Sequence, residues 1–440
     1  MHPIGALLLL TFLGMILAGS RRSALIAMIA GVLYLTQGQT IDVGINFFAV
    51  RIMSVALFAR VVFRHEYSFA KMHRIDRALL ILYSYTAVIV MVRSNGTDLS
   101  TLATAIDSCL CYFGFRGVIK TEDDFRWLLK RIVWLLIPYA LLVGIERVQG
   151  RSVFIFMGGV TGGWTREGVT RCMAAFRYPV ALGTFGGTFL ALYIALWFSR
   201  PERRYAYAGI VLSLWLVYAS NSGGSITAAG VALVAWLLWY IRKDMRKLRW
   251  GILVALAIMA MIMKAPVWYV LDRISFGGDS WHRAYLIDVA MRNIGKWWLI
   301  GMDAIETANW FPYTVNGTAD ITNEYLVFGL SGGLLAMVLF VILISRAFGR
   351  VGATLGRLRR TGGSKSTAYL VWGLGVVLGV HVITWFGVSY FDQMYVVWLL
   401  QLAAVVSVTD NVWLSRTPLS RTVEREPVRV SSAHPEPVIA

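Results

Sequence analysis

The sequence predicts an all-α, polytopic integral membrane protein with about 12–13 transmembrane helices and two long loops on one face. Three observations carry this: 58% of the 440 residues are hydrophobic, only 15% are charged, and the mean hydropathy is +0.64. Soluble domains are about 45–50% apolar and about 25% charged. A soluble enzyme, a disordered chain and a coiled coil are therefore excluded. The formal charge of +18 arises from 42 Lys and Arg against 24 Asp and Glu, and 34 of the basic residues are Arg. On a soluble protein that excess would suggest nucleic acid. Here it gathers in the loops between apolar runs, so we read it as orienting the helices and expect no nucleic-acid partner. Cys109 and Cys111 share one apolar segment and Cys172 stands alone in a loop. Neither a disulfide framework nor a thiolate metal site is available.

A helix crossing about 30 Å of hydrocarbon needs about 20 mostly apolar residues. Thirteen segments qualify: 4–19, 23–36, 43–63, 78–94, 101–118, 128–146, 179–199, 205–219, 225–241, 250–270, 323–345, 368–387 and 390–410. The first two are short, consistent with tilted helices or a re-entrant pair. No basic n-region precedes the first run and no A-x-A site follows it, so it reads as a retained helix. Arg51 and Arg60 fall in the third span and Asp107 in the fifth, where Asp107 is expected to pair with one of them or to join a lipid-phosphate pocket. The NSGGS turn at 221–225 separates two tightly spaced spans, its glycines suiting a turn or close helix packing. A Pro-rich, charged tail after Asn411 shows no apolar periodicity and reads as disordered. No repeat of 20–50 residues is visible. We expect one membrane domain, residues 1–410, and no soluble catalytic domain.

Alternate loops divide unequally in charge. One set, including 64–77, 242–249 and 346–367, carries 26 Lys and Arg, whereas the other carries nine spread over longer segments. Basic residues near span ends mark the cytoplasmic side. Loops 147–178 and 268–322 therefore face the periplasm or exterior, and thirteen spans put the N-terminus outside and the C-terminus inside.

There is no G-x-x-x-x-G-K-[ST], no H-E-x-x-H and no Cys/His cluster, so neither nucleotide nor metal chemistry is indicated and no cofactor is expected. Activity must come from the loops and helix ends of one face. Loop 147–178 brings Arg166, Arg171 and Arg177 close to a helix start at Pro179. Arginine binds phosphate bidentately and stays charged, and helix-start amides favour an anion. Three arginines on the side where the charge rule disfavours them suggest a diphosphate site, against the alternative of snorkelling to lipid head groups. In loop 268–322, Trp281–Asn293 fits an amphipathic helix opened by His282 and Arg283. Trp297, Trp298 and Trp310 suit a membrane interface, with sugar stacking as the alternative. His282 is a candidate base, set against a merely solvated loop histidine. Asp320 and Thr322 read as helix caps before the span starting near Asn323. Glu324 at the membrane boundary is costly without a partner, so an arginine is expected beside it.

With these residues in view, the chain resembles the bacterial O-antigen polymerase and O-antigen ligase superfamily over about residues 165–345. Arg171 followed by Phe176, Pro179 and Gly183 is similar to the family's Arg–Phe–Pro run before a helix. Trp281-His282-Arg283 followed by Gly301 is similar to its HR-type loop motif. Asn323-Glu324-Tyr325-Leu326 with Gly329 and Gly332-Gly333 is similar to its HNxYL helix entry. The resemblance implies a metal-independent glycosyltransferase of the bacterial inner membrane. It would transfer glycan from undecaprenyl diphosphate to an acceptor hydroxyl on the periplasmic face. Arg171 and Arg283 would hold the diphosphate, with Arg177, Arg166 and Asn323 completing the substrate-binding set. Thr322 stands where ligases of the family usually carry His, which leaves the base to Glu324, Asp320 or His282, in that order. The reading is a polysaccharide polymerase, with a flippase and a chain-length regulator as candidate partners. A ligase acting on lipid A core or protein is the alternative of like chemistry. A transporter or lipid flippase is the alternative of another class, but it would call for mid-membrane ionisable residues and repeated halves. A purely structural membrane partner in an export complex ranks below both.

Overall fold

The computed structural model describes residues 1–42, 46–159, 164–270, 280–310, 314–315 and 317–414. Of the expected disordered tail, 411–440, residues 411–414 instead continue the last helix, and 415–440 lie outside the described residues, as does part of the second long loop. The fold is 78% helical. Ten helices precede that loop: α1 (Pro3–Leu17), α2 (Arg21–Tyr34), α3 (Ala49–Phe63), α4 (Arg74–Arg93), α5 (Leu99–Val118), α6 (Glu122–Gln149), α7 (Pro179–Trp197), α8 (Arg203–Ser220), α9 (Gly223–Leu237) and α10 (Met245–Ile262). Among the described residues two short helices lie within it, α11 (Ser280–Arg292) and α12 (Ile294–Trp297), and three follow it, α13 (Glu324–Arg360), α14 (Lys365–Thr384) and α15 (Asp392–Leu414). Among the described residues three two-stranded antiparallel hairpins join helices.

Local chemistry starts these helices where they start. Ser20 accepts the amide of Ser23 at the head of α2, and Thr121 with Asp124 forms a capping box on α6. Pro179 occupies the first turn of α7, where its missing N–H costs nothing. Each of the thirteen expected spans overlaps a helix, but two are shorter than expected: Asn46–Phe48 of the third pair as a strand, so its helix starts at Ala49, and the tenth leaves its α-helix at Ile262. Seven helical segments of the described residues are long and apolar enough to cross a membrane: Arg74–Arg93, Glu122–Gln149, Pro179–Trp197, Gly223–Ile241, Glu324–Arg360, Lys365–Thr384 and Asp392–Leu414. Large apolar side chains stand outward around the bundle, with Phe63 83%, Val148 88% and Met261 78% exposed. Such a surface is a liability in water and ordinary in lipid. The protein is an all-α, multi-pass membrane protein.

α7 and α15 lie mostly inside the bundle, and α7 presents Gly183, Gly186 and Gly187 to α8 and α9. Small residues allow backbones to approach where apolar burial offers no net drive. The expected intramembrane pairing is Arg51 with Asp107. Arg60 goes elsewhere, to Glu66 at 2.9 Å and to the carbonyls of Ile16 and Gly19 at 2.6 and 2.7 Å, closing the end of α1.

Two expectations for α13 are corrected. Residues 346–367 do not form a loop: the helix continues to Arg360. Arg350 bonds Asp410 at 2.6 Å and Arg357 bonds the Trp413 carbonyl at 3.2 Å, which docks this extension on α15. Nor is 323–345 one regular helix, because Gly332 and Gly333 are non-helical (φ −143°, ψ 23° and φ 73°, ψ −175°). The second conformation is accessible essentially to glycine alone. Carbonyls freed by the break find donors: Leu330 accepts from the Met302 amide at 2.8 Å, Ser331 from Arg93 at 2.9 Å and Gly332 from Tyr85 at 3.1 Å.

The second loop is built around this break. Leu286, Ala290, Trp297, Met302, Trp310 and Ala319 bury together against Leu326 and Leu330 of α13. Trp297 and Trp310 are therefore core residues of the loop and not an interfacial belt; Trp298, 50% exposed, alone of the three keeps that option. The Trp297 indole donates to the Ala290 carbonyl at 2.8 Å. A buried indole needs such an acceptor, and α11, the amphipathic helix expected there, supplies it.

Candidate functional site

The first loop carries its arginines on a braced backbone. β1 (Thr165–Arg166) and β2 (Val169–Thr170) form a hairpin whose turn, Glu167 and Gly168, has positive φ. Arg166 sits half-buried on the first strand. Arg171 follows the second, its amide donating to the Trp164 carbonyl at 2.7 Å. Next, the Cys172 amide donates to Ala219 at the end of α8. Glu146 of α6 is 2% exposed and its carboxylate accepts the amides of Met173 and Ala174 at 2.8 and 2.9 Å. A carboxylate spent on two loop amides fixes Arg171 relative to the bundle. Cys172 is buried, and that burial pushes its thiol up to about 12, which disfavours the reactive thiolate.

The segment 385–391, between α14 and α15, ties the rest together, and sequence reasoning missed it. Trp385 accepts the Glu324 amide at 3.0 Å, and Tyr390 donates its amide to Glu324 Oε2 at 2.7 Å. Arg283 lies on Gly387, where an added Cβ would be 2.5 Å from Nε, and its Nη2 reaches within 3.8 Å of the Cβ position of Gly224. Arg177 approaches Asp392 at 3.8 Å, while the ring of the adjacent Tyr178 meets Phe391 edge-on at 5.5 Å. Gln393 donates to the carbonyls of Leu35 and Ala175 at 3.1 and 2.8 Å, joining this segment to the arginine loop. Arg283, Arg177 and Glu324, far apart in sequence, thus border one short connection.

Several sequence expectations are revised. Asn323 is the N-cap of α13, accepting the Leu326 amide at 3.1 Å, so neither Asp320 nor Thr322 has that role. An Asn cap contributes about 1 kcal/mol, and it occupies the Oδ1 that the resemblance offered to substrate. Glu324 is 3% exposed, but no arginine among the described residues pairs with it; the Tyr390 amide is its partner. Asp320 lies on the surface, yet neighbouring protein desolvates its carboxyl and raises it above the ordinary range, with His282 opposing. His282 and Asp320 are therefore close in space, and His282 is half-buried. Thr322 is likewise half-buried.

A second feature went unread: His381, in an apolar run of α14. It is 0% exposed, with Nδ1 2.8 Å from the Tyr390 hydroxyl and Nε2 2.6 Å from Gln401 Oε1. With Gln401 Oε1 as acceptor, Nε2 carries the proton and Nδ1 accepts from Tyr390. The imidazole therefore pins the ring whose backbone amide holds Glu324. An intramembrane histidine was the available signal. Among the described residues no three His, Cys, Asp or Glu side chains gather as metal ligands. Compared with known proteins, the chain matches no family model and no curated protein.

Proposed function

We propose that the protein is a polysaccharide polymerase of the bacterial inner membrane. It lengthens an O-antigen or exopolysaccharide by moving glycan from undecaprenyl diphosphate to an acceptor sugar hydroxyl on the periplasmic face. The observation that carries the reading is the convergence on segment 385–391: two arginines, Arg283 and Arg177, and one buried carboxylate, Glu324, border the same connection. Arg171 stands on the loop that Gln393 joins to it.

The chemistry follows from the groups. The acceptor oxygen attacks the anomeric carbon as the bond from that carbon to the diphosphate oxygen breaks, inverting the centre. Charge develops on the leaving diphosphate, and preorganised guanidinium groups stabilise it, usually the largest catalytic contribution. The acceptor proton passes to a general base, for which the Glu324 carboxylate stands first and the Asp320 carboxylate or the His282 imidazole next; such help contributes about 10²–10⁴-fold. An amide-held carboxylate retains one oxygen for that proton. A ligase would use the same groups on a different acceptor.

The test is mutational. Arg171→Ala and Arg283→Ala are each expected to lower polymer in cells by about 10²–10³-fold while protein stays in the membrane. Lysine at either position rescues poorly, because a point charge lacks the bidentate fork. Arg151→Ala, on an exposed residue nearer the start of the loop, is the mild control. Normal polymer from both arginine variants removes the diphosphate clamp.

A further inference from the structure

At the other, basic end of the bundle a cleft of about 220 Å³ opens between α6 and the start of α8, lined by Trp127, Lys130, Arg131, Trp134, Glu202 and Tyr205, with Pro201 at its edge. Four of these form one stripe: Trp127, Lys130, Arg131 and Trp134 have the i, i+3, i+4, i+7 spacing of a single helix face. Glu202, the acid in the cleft, is 6% exposed and already engaged, by Arg126 at 2.7 Å and Lys130 at 3.4 Å. Arg131 is exposed, makes no ion pair among the described residues, and lies 5.6 Å from the Trp127 ring. Arg22 lies 5.5 Å from that ring. Trp134, 58% exposed, sits one turn further along α6 toward the apolar body.

We propose that this cleft binds the phosphate head group of an anionic phospholipid. Arg131 presents an uncommitted fork to phosphate, Lys130 adds a second cation, and the Tyr205 hydroxyl adds a polar contact. The two indoles suit the depth where head group meets acyl chain. Its size is below the roughly 300–1,000 Å³ of pockets for drug-sized ligands, which fits a head group whose chains lie outside on the helix. A soluble phosphate would share the cations but have no use for Trp134. This site is independent of the transfer reaction at the opposite face.

Native mass spectrometry of delipidated, detergent-purified protein, titrated with phosphatidylglycerol or phosphatidylcholine, tests it. Each basic residue near an anionic head group contributes about fivefold in affinity. The parent is therefore expected to favour phosphatidylglycerol, and the Arg131→Gln, Lys130→Gln double variant to bind it about 25-fold more weakly. Trp134→Ala weakens both lipids. Arg242→Gln, which removes an exposed arginine 4.1 Å from Trp239 and outside the lining of this cleft, leaves binding unchanged. Equal binding of the two lipids by the parent, or unchanged binding by the double variant, overturns the proposal. So does displacement of the lipid by inorganic phosphate at similar concentration, which would make the occupant a soluble anion. Monodispersity on gel filtration separates lost binding from lost fold.

Discussion

Glu324 is the side chain on which the proposed transfer depends most. It is the first residue of α13, is buried, and is held by the Tyr390 amide at 2.7 Å. If it accepts the acceptor proton, Glu324→Gln retains shape and donor binding but slows transfer by about 10²–10⁴-fold. Thr322→Ala, lacking any basic group to lose, is tolerated or only slowed. Purified protein and a labelled lipid-linked donor distinguish binding from turnover. Normal extension by Glu324→Gln with failure of Asp320→Asn or His282→Ala moves the base within the same loop. Glu146 makes a second residue-scale prediction. Glu146→Ala strands the amides of Met173 and Ala174, each costing about 1–3 kcal/mol when left unsatisfied. Thermal unfolding of that variant should shift down, and polymer should fall because Arg171 loses its brace.

Among the elements, α13 shows what a sequence displays and what it hides. The existence of the helix, its start beside Asn323 and its glycines were all legible, because apolar runs and helix-breaking residues are local signals. The use of the glycines was not. Gly333 is needed because a Cβ there would strike the Leu299 carbonyl, a contact made by a loop more than thirty residues upstream. Gly333→Ala adds that clash to a conformation costing of order 1–3 kcal/mol for other residues. Gly349→Ala, further along the same helix with nothing within 4 Å, should instead stabilise by about 0.5–1 kcal/mol. Opposite shifts in thermal unfolding are expected; equal shifts would mean the break is not glycine-dependent. The role of segment 385–391 was hidden for the same reason. Gly387 and Tyr390 look like an ordinary turn until Arg283 and Glu324 are folded onto them.

For the whole molecule, orientation was read from charge, and it is directly checkable. Cysteine placed at the exposed positions Val169 or Ile305 should react with an impermeant maleimide on intact cells, and cysteine at Arg359 only after permeabilisation. The native thiols give little background, Cys111 and Cys172 being buried and Cys109 partly so. The inverse pattern would turn the positive-inside reading over and take the outward site with it. The membrane class was legible because composition and hydropathy are properties of the entire chain. The grouping of arginines and a carboxylate was legible only as a list of candidates, since no pattern along the chain reports which loops meet. The central claim is transfer from a lipid diphosphate, and one reconstitution tests it most directly. Protein in nanodiscs is given a synthetic undecaprenyl-diphosphate oligosaccharide, and the glycan is resolved on a gel. We expect a ladder of longer products from the parent and none from Arg171→Ala or Arg283→Ala. A donor that stays unextended with active parent, yet crosses the bilayer when the protein is placed in vesicles, would contradict the account and make the protein a transporter.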